Sequence, residues 1–147
     1  MAYIGMTGQG TTAVLTTNGI TGCVRSIALP DFVIEKIDAS CLDTTGFMKY
    51  ISGDLTDPGE CQLEIIFDPT FDFGADLDTG TGIMGTQDTL TITFIKQNTG
   101  SAAAAVLAGT GFVTNYSLPD LSTNELAVAS VTFAFDGDTG PAWTAEA

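Results

Sequence analysis

One segment of the sequence, residues 60–67, alternates between polar and apolar side chains and constrains the fold more than any other. Its polar positions Glu60, Gln62 and Glu64 alternate with the apolar positions Cys61, Leu63, Ile65 and Phe67. Successive side chains of a strand point to opposite faces, so this period of two predicts a strand with one buried and one solvated face. The segment before it, residues 41–59, is rich in glycine and threonine and is predicted to be a long loop.

The rest of the chain repeats this strand-like pattern between glycine- and threonine-rich connections. The other predicted strands are Val24–Leu29, Phe32–Asp38, Leu90–Lys96, Gly111–Leu118 and Leu126–Phe135, with a short strand expected around Thr12–Thr16. Short strands at this spacing predict a mainly β fold, a sandwich or barrel of about 6–8 strands. The predicted core consists of Leu63, Ile65, Phe67, Ile92, Phe94, Val131 and Phe133.

The chain length of 147 residues fits a single domain, 1–147. Within it we expect an N-terminal arm over 1–22, the long loop over 41–59 and a C-terminal tail over 136–147 that exposes Trp143. Residues 70–88 contain four glycines and predict at most a short, irregular helical turn. The alanine-rich segment Ser101–Leu107 fits either one or two helical turns or a mobile loop.

The charge is strongly acidic, with 18 carboxylates against four cationic side chains and a net charge of −14. So few cations cannot neutralise a phosphate backbone, so nucleic-acid binding is not expected. An acidic surface serves solubility, and it also lets DNA slide past without sticking. No run of about 18 apolar residues predicts a membrane span, and residues 1–10 lack the pattern of a signal peptide, so a cytoplasmic protein is expected.

Catalytic and metal-binding motifs are weak in this sequence. There is no histidine, and Cys23, Cys41 and Cys61 have neither disulfide-like nor metal-like spacing. Glu60 and Glu64 share a strand face but are typical of solvated positions rather than of a glycosidase pair. No nucleophile elbow or phosphate-binding loop is present. We therefore predict no enzyme activity and no cofactor.

Two groups of aspartates bear only a weak similarity to calcium sites. Asp72, Asp76 and Asp78 precede glycines as in a calcium loop, but Gln87 occupies the place where an EF-hand needs its bidentate glutamate. Solvated loop carboxylates are the favoured interpretation. Residues 136–138, Asp-Gly-Asp, are typical of a turn. No metal site is predicted.

The segment LDTTGFMKYISGDLTDPGECQLEIIFDP resembles the signature of the major tail tube proteins of long-tailed, siphophage-type bacteriophages. In that family a threonine-rich stretch with a glycine leads to an aromatic residue, a turn and an amphipathic strand that ends near Asp-Pro. The matching positions here are Thr44, Thr45, Gly46, Tyr50, Gly53, Asp57, Gly59 and the strand 60–67. The final strand and the short tail with Trp143 also fit.

The resemblance implies a β-sandwich flanked by a helix, six copies of which close into a ring. Extended hairpins of the six copies then form one barrel that lines a channel, and the rings stack through the long loop. The implied stacking residues are Thr44, Thr45, Gly46, Phe47, Tyr50, Gly53, Leu55, Asp57 and Gly59. The implied acidic residues of the lumen are Glu35, Asp38, Glu60 and Glu64.

As implied by the resemblance, the protein is a structural virion protein, assembled in the host cytoplasm and located in the virion tail. Its partners are further copies of itself, the tape measure, tail terminator and distal tail proteins, and DNA that passes through the lumen without specific binding. No membrane insertion is expected. The family's flanking helix has no clear counterpart in residues 70–88.

Two alternatives remain open from the sequence. One is the inner tube of a contractile injection machine, which differs in having an outer surface that binds a sheath. The other is a calcium-dependent β-sandwich adhesin or carbohydrate-binding module, whose stability would depend on metal bound near Asp72, Asp76 and Asp78.

Overall fold

A computed structural model describes residues 9–16, 24–67, 84–98 and 100–147 of the chain. These residues form nine strands and no helix: β1 Thr12–Leu15, β2 Val24–Ala28, β3 Val33–Asp38, β4 Tyr50–Asp57, β5 Glu60–Ile66, β6 Asp88–Thr93, β7 Val106–Ser117, β8 Val128–Phe135 and β9 Ala142–Thr144. The prediction of a mainly β fold is confirmed. No helix among the described residues is long and apolar enough to cross a membrane.

Seven strands form one antiparallel sheet in the order β1-β6-β7-β8-β5-β2, with β9 paired to β7. The twelve-residue strand β7 organises this sheet because β8 and β9 share one of its edges. Its residue Gly111 pairs with Phe135 of β8, and its residue Ala108 pairs with Ala142 of β9. The C-terminal residues therefore continue the sheet where β8 ends.

One face of this sheet carries the hydrophobic core. Alternate residues of β1, β5, β6, β7 and β8 are buried and form one cluster. Of the predicted core residues, Leu63, Ile65, Ile92, Val131 and Phe133 are buried, whereas Phe67 and Phe94 are partly buried and pack against the cluster. Alternation in the sequence thus corresponds to burial on one face, the expected consequence of the strand period.

The strands β3 and β4 form a separate two-stranded sheet, called here the ribbon. Its strands pair from Val33 with Asp57 to Asp38 with Tyr50, and residues 39–49 connect them at the far end. Almost every residue of both strands is exposed, and only Gly53 is partly buried. The ribbon therefore contributes little to the core of its own chain.

The prediction of one long loop over residues 41–59 is wrong in part, because residues 50–57 form strand β4 of the ribbon. The loop proper is shorter and covers residues 39–49. The sequence pattern did not reveal β4 because both of its faces are exposed, so burial imposes no alternation of polar and apolar side chains. A register shift opposite Glu35, where Gly53 lies, interrupts the pattern further.

The structure also bears on the predictions for residues 101–107, for the C-terminal tail and for residues 70–88. Residues 101–105 form no helix, and β7 begins at Val106, five residues before the predicted start. The predicted tail contains β9, whose pairing with β7 is long-range and leaves no local sequence signal. Of the helical turn considered for 70–88, the described residues 84–88 contain no helix, and the remainder lies outside the described residues.

Candidate assembly surfaces

The base of the ribbon is fixed by a close approach of two backbones. Gly59 follows β4 with a φ of +76°, and a Cβ at this position would lie 2.5 Å from the carbonyl oxygen of Asp31. The Gly59 carbonyl accepts a hydrogen bond from the Phe135 amide, at 3.2 Å, and Pro30 is buried. The ribbon therefore leaves the main sheet along a defined path between Pro30 and Gly59.

The two faces of the ribbon differ in chemistry. Ile37 pairs directly with Ile51, and Val33 lies on the same face of β3 four residues before Ile37. We call these three residues the apolar ribbon face. They are 43%, 56% and 58% exposed, respectively. Glu35 also lies on this face, since a Cβ on Gly53 would lie 3.3 Å from its Cβ. In the described residues nothing covers this apolar surface.

The opposite face of the ribbon is mostly polar. Lys36 pairs with Ser52, and Asp38 pairs with Tyr50. The Lys36 Nζ lies 4.1 Å from the centroid of the Tyr50 ring, a cation–π contact that ties the two strands together. The Asp38 carboxylate accepts hydrogen bonds from Ser40, and these lower its pKa from the ordinary value.

Residues 39–49, called here the tip loop, are held by their own hydrogen bonds. The Ala39 amide donates to the Lys49 carbonyl at 2.8 Å, and the Cys41 amide donates to Thr44 Oγ1 at 2.7 Å. The Lys49 amide donates to Ser40 Oγ at 2.8 Å. Within this closed loop Phe47 is 93% exposed. The tip loop thus presents an aromatic side chain on a well-defined backbone.

The residues implied for ring stacking are distributed along the whole ribbon. Thr44, Thr45, Gly46 and Phe47 lie in the tip loop, Tyr50, Gly53, Leu55 and Asp57 lie on β4, and Gly59 lies at the base. They therefore do not form one patch.

The four acidic residues implied for the lumen also fall on different surfaces. Glu35 lies on the apolar ribbon face and Asp38 on the polar one, whereas Glu60 and Glu64 lie on the solvated face of β5. Glu64 Oε2 accepts a hydrogen bond from Ser26 Oγ at 3.1 Å.

The C-terminal segment is tied to the sheet by a polar network that sequence reasoning missed. Gln87 Nε2 donates to Asp136 Oδ2 at 2.8 Å, and Thr110 Oγ1 donates to Asp136 Oδ1 at 2.7 Å. The Asp138 amide donates to the same Oδ1 at 2.9 Å. The Gln87 amide first, then the Asp138 amide, lower the pKa of Asp136. The Asp-Gly-Asp spacing signalled the turn, but nothing in the sequence signalled Gln87 and Thr110.

A second polar contact holds the end of the chain. The Glu146 carboxylate accepts hydrogen bonds from the backbone amides of Gln97 and Asn98, both at 2.8 Å. These two donors are the main causes that lower the pKa of Glu146. Ala147 and Ala103 exchange two backbone hydrogen bonds. The predicted tail is therefore docked along residues 142–147.

The structure gives no support for a catalytic or metal centre in the part of the chain it describes. No group of three or more histidine, cysteine, aspartate or glutamate side chains converges among those residues. Asp72, Asp76 and Asp78 lie outside the described residues. Cys61 is fully buried, and burial raises the pKa of its thiol to about 11, so it is unreactive.

Comparison with solved structures identifies proteins of the same fold. A chain in the cryo-EM structure of an extracellular contractile injection system, the PVC sheath/tube terminator in the extended state, has a TM-score of 0.66 and 15% identity over 92% of this chain and 96% of that chain. A chain of the PVC sheath-tube complex in the extended state has a TM-score of 0.66 and 16% identity, and the match covers 92% of this chain and 88% of that chain. A chain of the anti-feeding prophage baseplate has a TM-score of 0.64 and 8% identity, and the match covers 99% of this chain and 98% of that chain.

These identities are low, so the likeness establishes the fold alone. No protein-family model matches the sequence, and a comparison with curated proteins finds no significant match. The protein therefore has a fold that also occurs in chains of contractile injection systems.

Proposed function

We propose that this protein is the structural subunit of a phage-tail-like tube, in which copies of the chain form rings and the rings stack. The single observation that carries this proposal is the apolar ribbon face, an exposed surface on a two-stranded ribbon that packs on nothing among the described residues. An isolated two-stranded hairpin is marginally stable in water. Such a ribbon needs a neighbour, and a homo-oligomer supplies one.

A closed ring accounts for the ribbon's two free edges as well as for its apolar face. When each ribbon pairs with those of its two neighbours, the ribbons form a barrel and no exposed strand edge remains. The interface is head-to-tail, and such an interface closes into a ring when its rotation permits. Six copies per ring is the number that the sequence resemblance implies.

Charge supports a channel that conducts DNA. Each copy carries a net charge of −14, and like charge keeps a phosphate backbone from adhering to the wall. If the apolar ribbon face packs outward on neighbouring subunits, the polar face with Asp38 faces the lumen. Glu60 and Glu64 on β5 are further lumen candidates, whereas Glu35, on the apolar ribbon face, does not face the lumen in this arrangement.

Two kinds of tail fit this proposal. The sequence resemblance favours the siphophage type, with the tape measure, tail terminator and distal tail proteins as partners. The structural neighbours come from contractile systems and favour an inner tube that carries a sheath. Immunogold labelling of native particles separates the two. A siphophage-type tube is labelled along its whole length, and an inner tube is labelled only where sheath contraction exposes it.

The test of the proposed function is negative-stain electron microscopy of the purified, concentrated protein. Hollow tubes or stacked rings with a central channel are the expected result. A protein that stays monomeric at every concentration, also when seeded with tail fragments from native particles, would contradict the proposal.

A further inference from the structure

A groove lies between the base of the ribbon and the docked C-terminal strand. It has a volume of about 390 Å³ and is lined only by apolar residues. Leu29 and Phe32 form one wall, and Phe94 and Trp143 contribute to the other. In a chain with 18 carboxylates, a surface without a single charged group indicates an apolar occupant.

The groove is formed before any occupant arrives. The rings of Phe94 and Trp143 pack at 5.3 Å between centroids with an angle of 53°, and Phe94 packs on the core. Trp143 is the middle residue of β9, and its backbone is held in place because it pairs with Leu107 of β7. Even so, Trp143 is 60% exposed and Phe32 is 53% exposed. Tryptophan is enriched among the residues that dominate binding energy at interfaces, so a half-exposed Trp143 in a groove is a candidate anchor for a partner.

We propose that this groove receives the tip loop of a second copy of the chain, with Phe47 as the inserted side chain. This inference rests on the proposed tube function, for which it supplies a subunit contact. A groove accepts a protruding side chain, whereas the flat apolar ribbon face cannot enter it. Phe47 is the most exposed aromatic side chain of the described residues and stands on a loop held by its own hydrogen bonds. Because both partners are ordered beforehand, little conformational entropy is lost on binding.

The tip loop cannot fill the groove of its own chain. The groove wall at Phe32 directly precedes β3, and the tip loop follows it. The six residues of β3 hold the two about 20 Å apart, at about 3.3 Å per residue. Only another copy can bring Phe47 to Trp143. The contact joins two different surfaces and therefore repeats from copy to copy, as a ring or tube requires.

The experiment is cross-linking between two variants, each with one introduced, exposed cysteine. In a background of Cys23→Ser and Cys41→Ser, with Cys61 left in place because it is buried, Thr45→Cys and Thr144→Cys are made separately. Both positions are exposed neighbours of the proposed contact, so Phe47 and Trp143 themselves stay in place. A short bis-maleimide is then added to each variant alone and to their mixture under assembly conditions. We expect a covalent dimer in the mixture and none in either variant alone.

Other occupants of the groove give different products in the same experiment. A dimer of Thr144→Cys with itself would mean that two grooves face each other. A dimer of Thr144→Cys with Ile51→Cys, tested in place of Thr45→Cys, would mean that the apolar ribbon face covers the groove. Either result overturns the proposal. Tubes by microscopy without the mixed dimer would overturn the groove assignment and leave the tube function standing. The absence of both tubes and dimer would overturn both.

A second measurement uses the wild-type tip loop. Trp143→Ala is expected to raise the concentration needed for assembly at least tenfold, whereas Thr144→Ala, on the next residue of β9, leaves it unchanged. Thermal melting of both variants under non-assembling conditions shows whether the fold is intact. Equal assembly of the two variants would contradict the role of Trp143.

Discussion

Gly59 and Asp31 pass so close that a Cβ on Gly59 would lie 2.5 Å from the Asp31 carbonyl oxygen. The contact joins the end of β4 to the chain that enters β3, and it sets the direction in which the ribbon leaves the sheet. Gly59 also has a φ of +76°, a conformation that disfavours other residues. Two independent reasons therefore require glycine at this position.

Gly59→Ala is expected to destabilise the protein more than Gly46→Ala. Both glycines have positive φ, so each substitution adds backbone strain of about 1–2 kcal/mol. Only at Gly59 is there a steric clash, which adds about 1–3 kcal/mol, since nothing lies within 4 Å of a Cβ on Gly46. Urea unfolding followed by circular dichroism measures the difference. Equal unfolding free energies would show that the close approach to Asp31 has no energetic consequence.

Phe133→Ala is expected to lower the unfolding free energy by about 3–5 kcal/mol. Phe133 is 0% exposed and packs edge-on against Phe135, with ring centroids 5.3 Å apart. Phe112→Ala, on the neighbouring strand β7, serves as the control and is expected to cost about 1 kcal/mol because its side chain is exposed. Phe67 is only partly buried, so its replacement should fall between these two. Similar losses at 133 and 112 would contradict the assignment of the core face.

How much of this structure was predictable depends on where burial falls. Burial on one face makes the sequence alternate, so strands such as β5 and β8 could be located. β4 could not, because both faces of the ribbon are exposed in the single chain. β9 could not either, because its three residues are held by pairing with the distant strand β7. Asp136 and Glu146, on either side of β9, are likewise held by Gln87 and Gln97 from distant segments.

The candidate surfaces also differ in whether a local sequence pattern indicates them. The tip loop lies within a loop that was predicted from its glycine and threonine content, and the family resemblance supplied its stacking role. The length of this loop was overestimated. The groove had no sequence signal at all, because Leu29, Phe94 and Trp143 are brought together from three distant parts of the chain. A surface made by tertiary contacts between separate strands cannot be found from local patterns.

Acid is expected to release the C-terminal segment before the sheet unfolds. Hydrogen bonds lower the pKa of Asp136 from an ordinary value of 3.8 and that of Glu146 from 4.5. A carboxylate whose pKa is lowered by folding stabilises the folded state above its ordinary pKa, and this contribution is lost as the pH falls through the lowered value. The stabilisation should therefore be intact at about pH 6, begin to decline near the ordinary values of 4.5 and 3.8, and be lost only below them, as the pH passes through the lowered pKa values.

Trp143 is the single tryptophan of the chain, so its fluorescence reports this release directly. We expect the emission to shift at a higher pH than the one at which circular dichroism shows loss of strand. Asp136→Asn removes one of the two titrating carboxylates and should make the acid-induced change in tryptophan emission smaller. Coincident transitions by the two methods in the wild-type protein would mean that the segment does not separate from the sheet.

Ile51→Asp is expected to abolish assembly without unfolding the chain. Ile51 lies on the apolar ribbon face and is 56% exposed, so a carboxylate there costs the single chain little. In the assembly the same carboxylate would be buried without a partner, at a cost of several kcal/mol. Ser52→Asp is the matched control because Ser52 lies on the polar face opposite Lys36. Negative-stain microscopy and sedimentation compare the two variants, and melting temperatures confirm that both fold. Tubes formed by Ile51→Asp as readily as by Ser52→Asp would show that the apolar ribbon face is not a contact between copies.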